Sequence, residues 1–117
     1  MKELLRLERQ DGSPVCERCL LAESPLTRMK GLLGRRELPK GEGIFIRPAS
    51  SIHMFFMRFP IDAVWVDKGL KVVGVSPGVA PWRIAACKGA NGVFELPAGE
   101  AGRRGVEVGD QLVLRES

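Results

Sequence analysis

The segment IHMFFMRFPIDAVWVD, residues 52–67, decides the predicted fold. Its first half alternates large side chains with period two, which is typical of a β-strand over residues 51–59. One face of that strand would carry His53, Phe55, Met57 and Phe59, and the other would carry Met54, Phe56 and Arg58. Pro60 lacks a backbone N–H, so it ends the strand or restricts it to an edge. Residues 61–75 then predict a hairpin, with Val- and Trp-rich arms around Asp67-Lys68-Gly69.

Turn-forming residues divide the rest of the chain into further short strands. The pair Asp11-Gly12 predicts a tight turn, because both positions adopt positive φ at low cost. The strands expected from such signals are residues 4–8, 15–21, 44–48, 93–96 and 106–114, the last as a pair around Gly109-Asp110. Residues 76–92 contain several prolines and glycines and are predicted to form the longest loop.

One clear helix is predicted over residues 24–34. Ser24 can cap its first turn, Pro25 suits the first helical position and Gly34 is a C-terminal stop. The apolar side chains that recur at helical spacing are Leu26, Met29, Leu32 and Leu33. A second, marginal helical turn is expected within residues 97–105.

Length and composition favour one small domain. The 117 residues are 44% hydrophobic, enough for a single core, and 14 glycines with 8 prolines favour strands and turns over long helices. We therefore predict one domain over residues 1–117, of α+β class and mainly antiparallel β. The expected architecture is a small closed or half-closed β-barrel with one clear short helix and one marginal helical turn.

The charge pattern and the N-terminus favour a cytoplasmic protein. The sequence MKELLRLERQ is charged throughout and lacks the apolar stretch of a signal peptide. A formal net charge of +4 permits weak attraction to anions. The basic residues are densest at Arg28, Lys30, Arg35, Arg36, Lys40 and Arg47. A solvated surface explains this region better than a nucleic-acid footprint does.

Five motifs in order carry a family resemblance: MKGLLGR, IHMFFMRFPIDAVWVD, PW, ELPAGEA and GVEVGD. With them, the chain resembles domain-of-unknown-function family 192 over residues 20–114. The resemblance implies a small β-barrel-type fold with one or two short helices, and it leaves the activity open. Glu100 and Gly102 depart from the family pattern, so the second helix is expected to be marginal. Cys16 and Cys19 lie outside these motifs.

His53 and Asp62 form the first candidate site. If the sheet curls, Asp62 could return towards His53, fix the imidazole tautomer and raise its pKa. Such a pair could act as a general base or bind a polar ligand group. The alternative is that His53 is structural and that Asp62 accepts backbone N–H bonds in a turn after Pro60. No serine lies in a nucleophile-elbow motif.

Three further residues are candidates for ligand contacts. Arg58 interrupts an apolar segment and could clamp a carboxylate or phosphate, or lie on a solvated face. Trp82 and Arg83 lie in the predicted long loop, where an exposed pair would suit stacking or anion capture. Trp82 could equally fold down over the core.

The three cysteines are expected to be reduced thiols, since no export signal accompanies them. Cys16 and Cys19, three apart on a strand, would face opposite sides, which is wrong for two ligands of one ion. A zinc site made of Cys16, Cys19, His53 and Cys87 has acceptable ligand types but would require the strand to break at Arg18. We expect no metal and no cofactor.

These observations lead to three hypotheses for function. The favoured one is a binding module with a concave pocket for a small polar or anionic ligand or a peptide end. Its predicted ligand-binding residues are His53, Arg58, Asp62, Trp82 and Arg83. The second is a hydrolase-type enzyme using His53 with Asp62, and the third is an accessory protein that docks a protein or nucleic acid through a sheet edge or basic face. Neither nucleic acid nor a membrane is expected as the main partner, and the oligomeric state stays open.

Overall fold

The computed structural model describes residues 4–22 and 36–116. This part of the chain contains nine strands and one short helix. In chain order they are β1 (Leu4–Arg9), β2 (Pro14–Ala22), β3 (Glu42–Ile46), β4 (Ser51–His53), β5 (Ile61–Val66), β6 (Val72–Val79), β7 (Ile84–Ala86), β8 (Gly92–Pro97), α1 (Glu100–Arg103) and β9 (Leu112–Glu116). The helix predicted over residues 24–34 lies outside the described residues.

Seven of these strands form one sheet in the order β6-β5-β8-β3-β2-β1-β9. Neighbouring strands in it are antiparallel except for β2 and β3, which run parallel. Strands β4 and β7 pair separately as a two-stranded antiparallel sheet. The prediction of a mainly antiparallel fold with little helix is therefore confirmed for the described residues.

The large sheet is not closed into a barrel, so the predicted barrel is not confirmed. Strands β6 and β9 are the two ends of the strand order. An isolated bridge between Lys71 and Gln111 joins the regions where these strands begin. The amide of Leu112 donates to the carbonyl oxygen of Leu70 over 3.0 Å beside that bridge. The sheet is thus curled, but no continuous ladder links its ends.

Strand β5 lies at the centre of the core, because all six of its residues are buried. Its alternating side chains enter two different apolar clusters: Ile61, Ala63 and Trp65 join one, and Val64 and Val66 join the other. Burial of both faces explains why the strand is rich in β-branched and aromatic residues. The predicted hairpin of β5 and β6 is confirmed, and the side chain of Asp67 accepts hydrogen bonds from the amides of Gly69 and Lys71 in its turn.

The strand predicted over residues 51–59 is wrong beyond His53. The amide of Met57 donates to the carbonyl oxygen of Met54 over 3.3 Å, and Phe56 adopts a φ of 68°, so the chain turns. Met54 and Met57 are both buried, whereas Phe55 and Phe56 are exposed. Two core residues three positions apart fit a turn, and the period-two interpretation wrongly assigned them to opposite faces.

Two other predicted segments also differ from the structure. The predicted long loop over residues 76–92 contains the end of β6 and all of β7. Residues 106–114 form a turn followed by one strand, β9, instead of a strand pair. The Asp11-Gly12 hairpin and the marginal helical turn, α1, are confirmed. None of the helices described is long and apolar enough to cross a bilayer.

Candidate functional site

The turn that follows β4 presents aromatic side chains to solvent. The amide of Met54 donates to the carbonyl oxygen of Arg83 over 2.8 Å, and the amide of Trp82 donates to that of Met54 over 2.7 Å. These bonds hold the turn after β4 against the segment that precedes β7. Phe56 is 64% exposed and Trp82 is 57% exposed, although both are large apolar residues.

The aromatic rings of this region form a continuous row, which we call the aromatic ridge: His53, Phe55, Trp82 and Phe56. Ring centroids are 4.7 Å apart for His53 and Phe55, 5.8 Å for Phe55 and Trp82, and 4.8 Å for Phe56 and Trp82. Ring pairs at such distances attract each other beyond simple burial. The ridge is therefore a packed surface rather than a set of independent side chains.

Two residues of the ridge have strained backbones. Phe56 and Trp82 adopt φ values of 68° and 70°, in the left-handed region that bulky residues avoid. Each such conformation costs about 1–3 kcal/mol and is common where structure serves function. Glycine at either position would adopt this φ without that cost.

Two arginines and an isoleucine lie within two residues of a ridge ring in the chain. Arg58 and Arg83 are exposed, and Ile84 is 68% exposed. Within residues 4–22 and 36–116, neither arginine forms an ion pair. This part of the surface thus combines apolar rings with two arginines that form no ion pair with another described residue.

Asp62 does not join this surface. Its buried carboxylate accepts hydrogen bonds from the amides of Gly78 at 2.9 Å, Gly99 at 3.0 Å and Ala101 at 2.9 Å. Both oxygen atoms are therefore engaged by backbone groups. The proposed return of Asp62 towards His53 is not seen. Asp62 does accept backbone N–H bonds, as in the alternative, but from distant segments and not in a turn after Pro60.

His53 has different partners. It is exposed at the end of β4, and its Nδ1 accepts a hydrogen bond of 3.4 Å from the amide of Phe55. A histidine that accepts at Nδ1 carries its proton on Nε2 when neutral. The Asp62 carboxylate does not orient the imidazole ring, because it binds backbone amides. The structure therefore lacks the His53–Asp62 pair that the hydrolase hypothesis requires.

The hollow next to this region has a different lining from the predicted pocket. It measures about 420 Å³ and opens beside the start of β4. Its lining residues are Pro48, Ala49, Ser50, Ser51, Ala90 and Asn91. None of the five predicted ligand-binding residues contributes to it. His53 and Trp82 lie on the exposed ridge instead, and Arg83 follows Trp82 in the chain.

Cys16 and Cys19 lie on the same side of β2, contrary to the prediction. Register shifts between β1 and β2 place Cys19 opposite Leu5 and Cys16 opposite Leu7, so three residues of β2 span two of β1. This bulge turns both thiols into the core. A hydrogen bond with Cys16, together with burial, raises the pKa of the Cys19 thiol well above its ordinary value.

The four residues considered for zinc are not gathered by the fold. Cys87 is half-buried, with its Sγ 3.9 Å from the carbonyl oxygen of Val73, whereas His53 lies on the ridge. Across the described ranges 4–22 and 36–116, no group of three or more His, Cys, Asp or Glu residues could hold a metal ion.

Comparison with known proteins places this geometry in a family. A family model described as uncharacterised ACR, domain-of-unknown-function family 192, matches residues 7–114. The chain belongs to this family. The match begins within β1 and includes all of β2, whereas the sequence resemblance began at residue 20.

Curated relatives support the same assignment. The UPF0127 protein of Thermococcus kodakarensis is 34% identical over 98 residues, which are 79% of this chain and 61% of that protein. The UPF0127 protein of Pyrococcus horikoshii is 34% identical over 79% of this chain and 83% of its own length. The Thermococcus sibiricus UPF0127 protein is 36% identical over 59% of this chain, and the match spans about half of that relative, 48%.

Two crystal structures share the fold. A protein of unknown function from Novosphingobium aromaticivorans has a TM-score of 0.78 at 24% identity, covering 94% of this chain and 83% of its own. A proposed transcription regulator from Sinorhizobium meliloti has a TM-score of 0.81 at 22% identity, covering 97% of both chains. At these identities the similarity shows the fold alone.

Sequence reasoning missed three residues of this family member's surface: Phe55, Phe56 and Ile84. The sequence pattern places Phe55 and Phe56 on opposite faces of one strand and Ile84 in a loop. The adjacent pair Phe55-Phe56 was a usable signal, because a strand with one buried face can bury only one of two neighbours. Ile84 had no such signal, since its exposure depends on the pairing of β7 with β4.

Proposed function

We propose that this protein is a binding module whose aromatic ridge, with Arg58 and Arg83, binds a ligand that combines an apolar group with a carboxylate. The observation that carries the proposal is the exposure of Phe56 and Trp82 in strained conformations, each within two residues of an arginine that forms no ion pair with a described residue. Apolar rings would cover the apolar part of the ligand, and a guanidinium would take its carboxylate in two-pronged fashion. A peptide end has both features.

The expected affinity is modest. Complete burial of one large side chain is worth about 1.5–3 kcal/mol, and the ridge offers parts of several rings. Association also costs translational and rotational freedom, which removes much of this gain. We expect a dissociation constant between about 1 μM and 1 mM, which is ordinary for a small exposed surface.

In this proposal Asp62 stabilises the scaffold that carries the ridge and does not contact the ligand. Three backbone amides from two segments donate to its carboxylate, and the bridge of Lys71 and Gln111 joins the ends of the curled sheet. We propose that the curl makes a half-closed barrel, which would hold the ridge in place.

That the protein acts in the cytoplasm stays a prediction.

The other two hypotheses have less support. The hydrolase would lack the His53–Asp62 pair, because the Asp62 carboxylate accepts hydrogen bonds from backbone amides. The basic face keeps Arg36, Lys40 and Arg47 exposed, but Arg47 lies over the Phe45 ring at 5.3 Å, which is an ordinary structural contact.

Calorimetric titration with two peptides tests the proposal. The probe is an N-acetylated hexapeptide, Ser-Thr-Val-Thr-Val-Phe, with a free terminal carboxylate, and its matched control is the same peptide with a terminal amide. We expect the carboxylate form to bind and the amide to bind at least about tenfold more weakly. No heat with either peptide, or equal affinity for both, would contradict the proposal.

A further inference from the structure

Within residues 4–22 and 36–116, no strand pairs with β7 on the side away from β4. The register of these two strands pairs His53 with Ile84, Ile52 with Ala85 and Ser51 with Ala86. The amide of Met54 bonds to Arg83, and the amide of Cys87 bonds to the carbonyl oxygen of Ser50 at 2.9 Å. In an antiparallel pair, these bonds make His53–Ile84 and Ser51–Ala86 the non-hydrogen-bonded positions.

Ile84 and Ala86 therefore direct their own N–H and C=O groups away from β4. Among the described residues, no backbone group pairs with them on that outer side. Both side chains are exposed as well. Two donors and two acceptors, spaced as in a strand, are thus available to an incoming extended chain.

Charge and direction indicate which chain would fit. An added strand that runs antiparallel to β7 has its C-terminal end beside Ile84, the first residue of β7. Arg83 directly precedes that residue, and its guanidinium has no carboxylate partner among the described residues. A terminal carboxylate would meet a positive charge there, and a terminal apolar side chain would meet Trp82 and Ile84.

We infer that the ligand is the C-terminal tail of a polypeptide, which adds to β7 as a short antiparallel strand and ends at Arg83. This inference rests on the proposed function and specifies its partner. The backbone bonds to Ile84 and Ala86 supply affinity that is independent of sequence, whereas the ridge and Arg83 select an apolar last residue with a free carboxylate.

The test uses the hexapeptide above and two versions that each carry one backbone N-methyl group. In one version the group is on the valine just before the terminal phenylalanine, and in the other it is on the threonine that precedes that valine. Only alternate amides of an added strand face its neighbour. We expect one N-methylated peptide to lose about tenfold or more in affinity and the other to stay within about threefold. Equal affinities of the two would overturn strand addition.

Protein variants give a second measurement of the same edge. Ala86→Pro removes an outward N–H without removing a bond to β4, and Ala86→Val keeps the N–H and serves as the control. We expect the proline variant to bind at least about tenfold more weakly and the valine variant to bind within about threefold. If the hexapeptide binds but neither N-methylation nor Ala86→Pro lowers its affinity, strand addition to β7 is wrong and the ridge proposal stands. If the unmethylated hexapeptide does not bind at all, both fail.

Discussion

The carboxylate of Asp62 accepts a hydrogen bond of 2.9 Å from the backbone amide of Ala101, 39 residues later in the chain. The amides of Gly99 and Gly78 bond to the same side chain, at 3.0 and 2.9 Å. One buried side chain thereby joins β5, β6 and the start of α1. Hydrogen bonds to a buried charged group are among the stronger ones in proteins, so Asp62 is a structural centre of the fold.

Substitution of Asp62 should reduce stability without changing the ridge. Asp62→Ala leaves three backbone amides without an acceptor, and we expect the free energy of unfolding to fall by about 3 kcal/mol or more. Asp62→Asn keeps one oxygen acceptor and should cost about 1–2 kcal/mol. Urea unfolding measures both. The folded Asn variant should bind the hexapeptide normally, and a large loss of affinity at unchanged stability would instead place Asp62 in the site.

Glycine at the strained ridge positions should separate stability from binding. Phe56→Gly and Trp82→Gly relieve a left-handed conformation worth about 1–3 kcal/mol, which offsets the packing lost with the ring. We expect melting temperatures close to that of the unchanged protein, together with loss of peptide binding. Val108→Ala, which truncates a 65% exposed side chain in the turn before β9, is the control and should affect neither property. Normal peptide binding by both glycine variants would exclude the ridge as the binding surface.

The cysteines should differ in reactivity. Cys16 and Cys19 are buried, and the raised pKa of Cys19 keeps its thiol protonated at neutral pH, whereas Cys87 is half-buried. With iodoacetamide at pH 7.5, mass spectrometry should show modification of Cys87 first. Cys16 and Cys19 should react only after unfolding in urea. Rapid modification of Cys19 in the folded protein would show that the bulged segment of β2 opens readily.

Stability should fall in acid because several carboxylates have lowered pKa values. A hydrogen bond from Arg103, with the charges of Arg103 and Arg104, lowers the pKa of Glu100, and a hydrogen bond from Arg104 lowers that of Glu17. A carboxyl whose pKa is lower in the folded state stabilises the protein above the ordinary pKa of 4.5, and that stability is lost as pH falls through the folded value.

Glu100→Gln should therefore flatten the acid side of the stability curve. Urea unfolding at pH 7, 5, 4 and 3 compares the variant with the unchanged protein. We expect the variant to be less stable at pH 7 and the difference to shrink towards pH 3. Glu107→Gln, at an exposed carboxylate outside this cluster, is the control. A constant difference at every pH would mean that Glu100 contributes by packing alone.

The sequence predicted those parts of the fold that depend on local signals. The Asp11-Gly12 turn, the Val/Trp-rich β5 and the marginal α1 follow from turn chemistry and composition. The region after His53 could not be predicted in this way, because Phe56 adopts a positive φ that its residue type disfavours. Two long-range hydrogen bonds hold that turn: the amide of Met54 donates to the carbonyl oxygen of Arg83, and the amide of Trp82 donates to that of Met54.

The candidate site was predicted in part. His53 and Trp82 both belong to the ridge, and the segments that carry them meet because β4 pairs with β7, where the sequence predicts a loop. For Asp62, the sequence left two roles open, and long-range amides at Gly99 and Ala101 decide between them. The bulge that aligns Cys16 with Cys19 likewise depends on the register of β1 and had no local signal.

Titration of the free-carboxylate hexapeptide against Arg83→Glu and Lys68→Glu tests the central claim most directly. Both substitutions change the net charge equally, but Lys68 lies in the turn between β5 and β6, so the pair separates a specific contact from the overall field. We predict that Arg83→Glu weakens binding at least about tenfold while Lys68→Glu stays within about twofold. Equal affinities of the two variants would contradict a ligand held at the ridge by Arg83.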